Sequence, residues 1–298
     1  MKLKYALIPL VLTAFGSTHA SATCLNDVEV MQLMQFYNAG TPSPNIAPLT
    51  DEEGACTRTK FNTLLAAKYG KVIGYKAGLT NPAVQQRFNT NKPVWGKLYA
   101  GMIQPSGITL PATFGARPLF EADMLVRVRD LSINDARNPA EVLEFIDQII
   151  PFIELPDLLV EKPATLNGAG IAAINVGARL GVAGEPILAP VLSEQKQAML
   201  QALADMSVQL TDNKGTVLST GKGSDILGHP LNAVLWIIQA LKQDNLRLMP
   251  GDLVSLGSFS PLMPPKAGTS ITATYMGLPG AKPVTVNFLP PPISGLND

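Results

Sequence analysis

Gly221-Lys222-Gly223-Ser224-Asp225-Ile226-Leu227-Gly228-His229-Pro230-Leu231-Asn232-Ala233-Val234-Leu235-Trp236 runs from a glycine-rich turn into the start of a helix. Pro230 suits a first helical turn, and Leu231, Val234, Leu235, Ile238 and Leu241 recur on one apolar stripe. Neither Gly221-Lys222-Gly223-Ser224 nor Gly168-Ala169-Gly170 completes a phosphate-binding pattern. Upstream, residues 208–210 and 216–218 flank Asp212-Asn213-Lys214-Gly215 and predict a hairpin, with a helix over 194–206 before it. Downstream, strands are expected at 253–256, 271–275 and 284–288, and 290–298 reads as a loose tail.

The same reading extends toward the N-terminus. Val30, Leu33, Met34 and Tyr37 share a helical face within 26–37, and Phe61, Leu64 and Leu65 do so within 57–68. Residues 40–48 form a loop rich in Pro, Gly, Ser and Asn, and 71–76 reads as a strand entering a turn. Residues 122–128 favour a strand. Asn138-Pro139 opens a helix carrying Val142, Phe145, Ile146, Ile149 and Ile150, which Pro151 is expected to stop before a short strand at 152–155. Short strands with segregated helices point to an α+β chain rather than a doubly wound sheet.

Composition narrows the function classes. Of 298 residues, 46% are hydrophobic, enough for a sizeable core, and 25 glycines with 25 prolines favour turns over a helical bundle. The 23 basic and 23 acidic residues cancel, leaving no electrostatic footprint for nucleic acid or an anionic membrane.

Lys2 and Lys4, the apolar run over 5–15 and Ala20-Ser21-Ala22 have the pattern of a cleaved signal peptide over 1–22, with a buried N-terminal helix as the alternative. An exported, periplasmic chain with no membrane span after cleavage is the expectation. Thr23 before Cys24 does not suit lipidation. Cys24 and Cys56, the only cysteines, then meet an oxidising compartment, where a disulfide would add on the order of 3 kcal/mol; two unpaired thiols are the other reading. Residues 23–70 form a small N-terminal helical region. His229 is the only histidine left after cleavage, which excludes a His-rich metal site.

Phe120-Glu121-Ala122-Asp123 heads a strand, where residues two apart share a face, so Glu121 and Asp123 can aim at one point. A cation between them would relieve their repulsion, and an all-oxygen set suits Mg²⁺, Mn²⁺ or Ca²⁺; two solvated charges at a strand end are the alternative. Glu154 lies between Ile153 and Leu155, where an unpaired carboxylate would be costly unless this is an edge strand facing solvent.

Three segments together resemble the 2-keto-4-pentenoate hydratase group of the fumarylacetoacetate hydrolase-like superfamily. Gly74-Tyr75-Lys76-Ala77-Gly78-Leu79-Thr80 is similar to that group's G-[YWH]-K-x-G-L-T, and the 221–236 stretch to its G-x-G-S-x-x-L-G-H-P-L-N-A-x-x-W. Gly251-Asp252 with Leu256-Gly257-Ser258 resembles G-D-x-[IV]-x-x-G-[SA]. The resemblance implies a mixed β-roll or sandwich core of the fumarylacetoacetase C-terminal-like type over 71–298, with flanking helices and a homo-oligomeric assembly. It also implies Mg²⁺ or Mn²⁺ held by Glu121, Asp123 and Glu154, with Lys76 moving protons and Gly257, Ser258 and Leu79 binding substrate. The substrate would be a small 2-hydroxy-2,4-dienoic or 2-keto acid, and the reaction a hydration. Decarboxylation, tautomerisation and acylpyruvate hydrolysis on the same scaffold, or a non-catalytic small-acid binding role, are the other readings.

Two positions depart from the group's pattern. Pro93-Val94-Trp95-Gly96 stands where P-D-[FY]-G is usual, so Val94 replaces an aspartate tied to proton transfer or water activation. Asp123 is one methylene shorter than the usual glutamate. Pro264 and Pro265 are expected to crowd a loop near the pocket.

Overall fold

A computed structural model of the chain describes residues 24–290, and every count below refers to those residues. The signal-peptide segment and all but the first residue of the 290–298 tail lie outside them.

In chain order the elements are α1 (Asp27–Ala39), α2 (Asp51–Tyr69), β1 (Val72–Gly78), α3 (Pro82–Arg87), β2 (Val94–Tyr99), β3 (Ile103–Pro105), β4 (Thr109–Leu110) and β5 (Glu121–Val128). Then come α4 (Pro139–Glu144), β6 (Ile146–Leu155), α5 (Gly168–Ala173), β7 (Leu180–Ala183), β8 (Ile187–Leu188) and α6 (Ser193–Asp205). The chain closes with β9 (Ser207–Asp212), β10 (Val217–Lys222), α7 (Asn232–Gln243), β11 (Leu253–Ser255), β12 (Ser270–Met276) and β13 (Val284–Phe288). An eight-stranded sheet has the order β2-β1-β11-β5-β6-β7-β3 with β8 paired to β6, and a five-stranded sheet the order β10-β9-β12-β13-β4. Both are mixed, since β1/β11, β3/β7 and β13/β4 are parallel while the other pairs are antiparallel. The α+β expectation holds.

Strand alternation sorts the side chains of β5 and β6. Ala122, Met124 and Val126 with Ile149 and Ile153 face the main core, where they meet Val208, Leu210, Ile271 and Val286 from the smaller sheet. The opposite face carries Leu125, Ile150 and Phe152 in a small separate cluster, and the three carboxylates extend from it. Tyr275 of β12 crosses the core, and its hydroxyl hydrogen-bonds the backbone carbonyls of Asp123 and Phe152. The smaller sheet therefore clamps the two strands that carry the carboxylates.

One element differs from expectation. Helix α4 ends at Glu144, and Ile146–Leu155 is a single ten-residue strand that runs straight through Pro151. Ile146, Ile149 and Ile150 are β-branched and the strand is buried on both faces, so tertiary burial overrides the helical spacing. Pro151 is tolerated because it lies between residues 148–149, which pair with β8, and 152–155, which pair with β7. No ladder bond needs its missing N–H there, and its carbonyl accepts from Gly184.

Helix α2 starts earlier than expected, at Asp51, because Thr50 and Glu53 form a capping box. Asn26 and Glu29 do the same for α1. The two helices bury Val30, Leu33, Tyr37, Phe61 and Leu65 in one cluster with Leu158, Val160 and Ile171. Cys24 and Cys56 are joined, with Cα atoms 5.8 Å apart, which ties the chain before α1 to α2.

Candidate active site

The register of β5 on β6 builds the site. Glu121 lies directly opposite Glu154, and Asp123, two residues along, projects from the same face. Carboxylate oxygens of Glu121, Asp123 and Glu154 all lie within 4.8 Å of one another. Asp123 is fully buried and Glu154 is 3% exposed, which removes the solvated-charge and edge-strand alternatives.

Neighbouring strands supply the partners. Ser255 on β11 donates to Asp123 Oδ2 at 2.5 Å, and the backbone amides of Met124 and Gly257 donate to Oδ1 at 2.5 and 3.0 Å. Lys76 on β1, paired with Ser255 in the ladder, is 2% exposed. Its ammonium donates to Glu154 Oε1 and, at 3.0 Å, to the Val176 carbonyl. One lysine therefore faces two buried carboxylates and the half-buried Glu121.

That imbalance has consequences. Burial, and next the charge of Glu154, push the Glu121 carboxyl well above the ordinary carboxylate range, although Lys76 and a hydrogen bond from Ser258 act the other way. Burial and Glu154 raise Asp123 likewise, against the donors Ser255 and Met124. Glu154 Oε2 is buried without a hydrogen-bond partner. An orphaned carboxylate oxygen amid two more acids and no competing donor is a fit for a hard divalent cation, and the all-oxygen set suits Mg²⁺, Mn²⁺ or Ca²⁺.

A cavity of about 400 Å³ opens beside this cluster, with Lys76, Glu121, Leu79, Thr80, Gly257 and Ser258 in its wall. Asp123 and Glu154 lie behind that wall. Gly257 has φ +100°, and a Cβ there would stand 2.3 Å from the Thr80 hydroxyl, so only glycine lets the β11 exit pass this close. Ser258 Oγ bonds Ser260, and Leu79, itself at φ 56°, gives its carbonyl to Gln85.

Other residues singled out from sequence fall elsewhere. Val94 is buried on β2 opposite Gly78 and lines a different cavity of about 380 Å³, together with Arg58, Trp95 and Trp236. Pro261 and Leu262, rather than Pro264 and Pro265, border the carboxylate cavity, so the proline pair does not crowd it. His229 is structural: its Nδ1 accepts from the Leu231 amide, its Nε2 meets the Leu200 carbonyl at 3.1 Å, and burial lowers its pKa.

The sequence reading missed a corner at Asn175-Val176. Both residues have left-handed backbone angles, φ 53° and 56°, which is strained for a β-branched valine. The Asn175 amide locks the corner by accepting from the Lys97 amide at 2.7 Å and donating to the Lys97 carbonyl at 2.9 Å. The result is a Val176 carbonyl aimed at Lys76. Nothing in local composition signals this, because the partner strand is 78 residues away.

No family model matches the sequence. A 2-keto-4-pentenoate hydratase of Paraburkholderia phymatum is 30% identical over 261 residues, covering 85% of this chain and 95% of that one. The chain belongs to the 2-keto-4-pentenoate hydratase family. A 2-hydroxyhexa-2,4-dienoate hydratase of Comamonas testosteroni is 25% identical over 260 residues, 83% of this chain and 93% of that one. Among solved structures, 4-oxalocrotonate decarboxylase of Pseudomonas putida G7, complexed with magnesium and adipate, superposes with TM-score 0.75 over 90% of this chain and 100% of that chain. At 22% identity this likeness carries the fold alone.

Proposed function

We propose that the chain is an exported, metal-dependent hydro-lyase that adds water to a 2-hydroxy-2,4-dienoate or a closely related small 2-keto acid. The observation that carries this reading is the triad of Glu121 with the buried Asp123 and Glu154, with an orphaned oxygen on Glu154 and Lys76 beside it. Magnesium in the solved 4-oxalocrotonate decarboxylase supports Mg²⁺ here, with Mn²⁺ the other candidate. A divalent ion on these oxygens would neutralise the substrate carboxylate and polarise its 2-oxygen.

The chain's own groups account for the rest. An ammonium has three N–H donors, and Lys76 spends two on Glu154 and Val176, leaving one for the cavity. That proton can be delivered to C5 of the dienol while the 2-hydroxyl gives up its own, producing the 2-oxo-3-enoate. Water then places its hydroxyl on C4 and a proton on C3, which conserves all atoms. Gly257 and Ser258 border the place where the substrate carboxylate would lie.

Val94 favours one further reading. With a valine at that position, buried beside Gly78 and outside the lining of this cavity, the wall lacks the acid that the family resemblance ties to water activation. Tautomerisation of the same enol, or decarboxylation of an analogue that carries a second carboxylate conjugated to the 2-oxo group, needs Lys76 and the carboxylates but no activated water.

The deciding experiment follows ultraviolet decay of 2-hydroxypenta-2,4-dienoate with mature protein and Mg²⁺, then with EDTA, with products identified by mass. Metal-dependent 4-hydroxy-2-oxo acid establishes hydration. Metal-dependent loss of absorbance without added water moves the assignment to tautomerase. No enzymatic decay leaves a binding role. Export is tested by the N-terminal sequence of protein from a periplasmic extract, where an intact residue 1 would refute it. Sedimentation tests the homo-oligomer that the family resemblance implies.

A further inference from the structure

We infer that Asp123 does not bond the ion directly: Glu121 and Glu154 hold it, Asp123 reaches it through a water molecule, and the site favours Mg²⁺ over Ca²⁺. This rests on the reading of the triad as the metal site.

The three carboxylates are not equally free. A carboxylate offers about four lone-pair positions. On Asp123, Oδ1 accepts from the Met124 amide at 2.5 Å and the Gly257 amide at 3.0 Å, and Oδ2 accepts from Ser255 at 2.5 Å. Those donors leave a single position. Ser255 and Gly257 lie on the β11 side of β5, whereas Glu154 lies on the β6 side, so their bonds draw the Asp123 carboxylate away from Glu154. Glu154 differs, because Lys76 meets only Oε1 and Oε2 has no partner. Glu121 borders the cavity and takes a hydrogen bond from Ser258. The open lone pairs therefore belong to Glu121 and Glu154.

The backbone does not make up for the short side chain. Asp123 lacks one methylene of the glutamate that the family resemblance expects. Strand β5 is fixed on both edges, by β6 at Asp123–Phe152 and by β11 at Leu125–Ser255. Beneath it, the Tyr275 hydroxyl bonds the Asp123 carbonyl. Swinging the carboxylate toward Glu154 would break its bonds to Ser255 and Gly257, leaving a buried hydroxyl and a buried amide unpaired. Mg²⁺ gives up its waters reluctantly and is commonly held by one or two carboxylates, whereas Ca²⁺ takes about six to eight oxygens. Two direct carboxylates, with a third on a retained water, match the smaller ion.

The test is a crystal structure of the mature protein loaded with Mn²⁺, which shares the octahedral oxygen preference of Mg²⁺ and is located by its anomalous scattering. Calorimetric titration of wild type and Asp123→Glu with Mg²⁺ and with Ca²⁺ accompanies it. The ion should bond Glu121 and Glu154, with a water between it and Asp123. Asp123→Glu restores the methylene and adds a direct ligand, so Ca²⁺ affinity should gain about tenfold relative to Mg²⁺ affinity. An Asp123 oxygen bonded directly to the ion refutes the inference, while the triad stands as the metal site. A folded Asp123→Glu whose Ca²⁺ to Mg²⁺ ratio is unchanged or lower refutes the selectivity. If that variant does not fold, the wild-type structure and the wild-type preference between the two ions decide. No ion at the triad refutes both this inference and the reading beneath it.

Discussion

Lys76 and Glu154 are the residues on which the chemistry turns, and their substitutions should separate two functions. Lys76→Met removes the proton carrier but leaves all three carboxylates, so turnover should fall by roughly 10² to 10⁴-fold while Mg²⁺ still raises the melting temperature. Glu154→Gln keeps the shape and loses the charge, so Mg²⁺ affinity should fall by about tenfold or more, and activity with it. If Glu154→Gln bound Mg²⁺ as wild type does, the ion would not sit in this cluster. The raised carboxyls of Glu121 and Asp123 add a pH dependence. Both hold protons more tightly folded than unfolded, so their contribution to stability is complete below about pH 4 and is lost as pH rises toward their folded values. A divalent ion competes with those protons and binds better as they leave. Thermal melts with and without MgCl₂ should therefore show a larger increment at pH 8 than at pH 5. An equal or smaller increment at pH 8 would argue against the triad as the metal site.

At the scale of elements, the Asn175-Val176 corner positions Lys76 through a single carbonyl. Val176→Gly relieves left-handed strain of about 1–2 kcal/mol and loses buried side-chain contact of similar size, so stability should change little. The carbonyl would then be held by the Asn175 side chain alone, and kcat should drop more than KM rises, with an altered pH–rate profile. A stable variant with wild-type kcat and pH profile would show that the corner serves packing alone. Strand β6 illustrates what local pattern cannot deliver. Ile146, Ile149 and Ile150 carry helical spacing, yet they enter a strand because β5, β7 and β8 pair with its edges while the main core and the smaller cluster bury its two faces. By contrast β5, α1, α7 and the hairpin β9–β10 were legible, since their periodicity, caps and turn residues all favour the same local form.

Over the whole molecule, the disulfide joins the chain before α1 to α2, across a separation of 32 residues. Cys56→Ser should lower stability by about 2–4 kcal/mol, read as a lower denaturation midpoint, while Mg²⁺ affinity stays near wild type because the triad lies on the other cluster's strands. Equal loss of both would mean that the helical layer supports the site directly. The sequence by itself determined the α+β class, the helical layer of α1 and α2, the family, and Glu121, Asp123, Glu154 and Lys76 as residues of interest, because strand parity, caps and motif spacing are local properties. Only the tertiary structure decided that these four converge, that Glu154 keeps an orphaned oxygen, and that Val94 lines a different cavity. Those facts depend on the register between strands distant in sequence, and register is set by which faces the assembled sheets can bury.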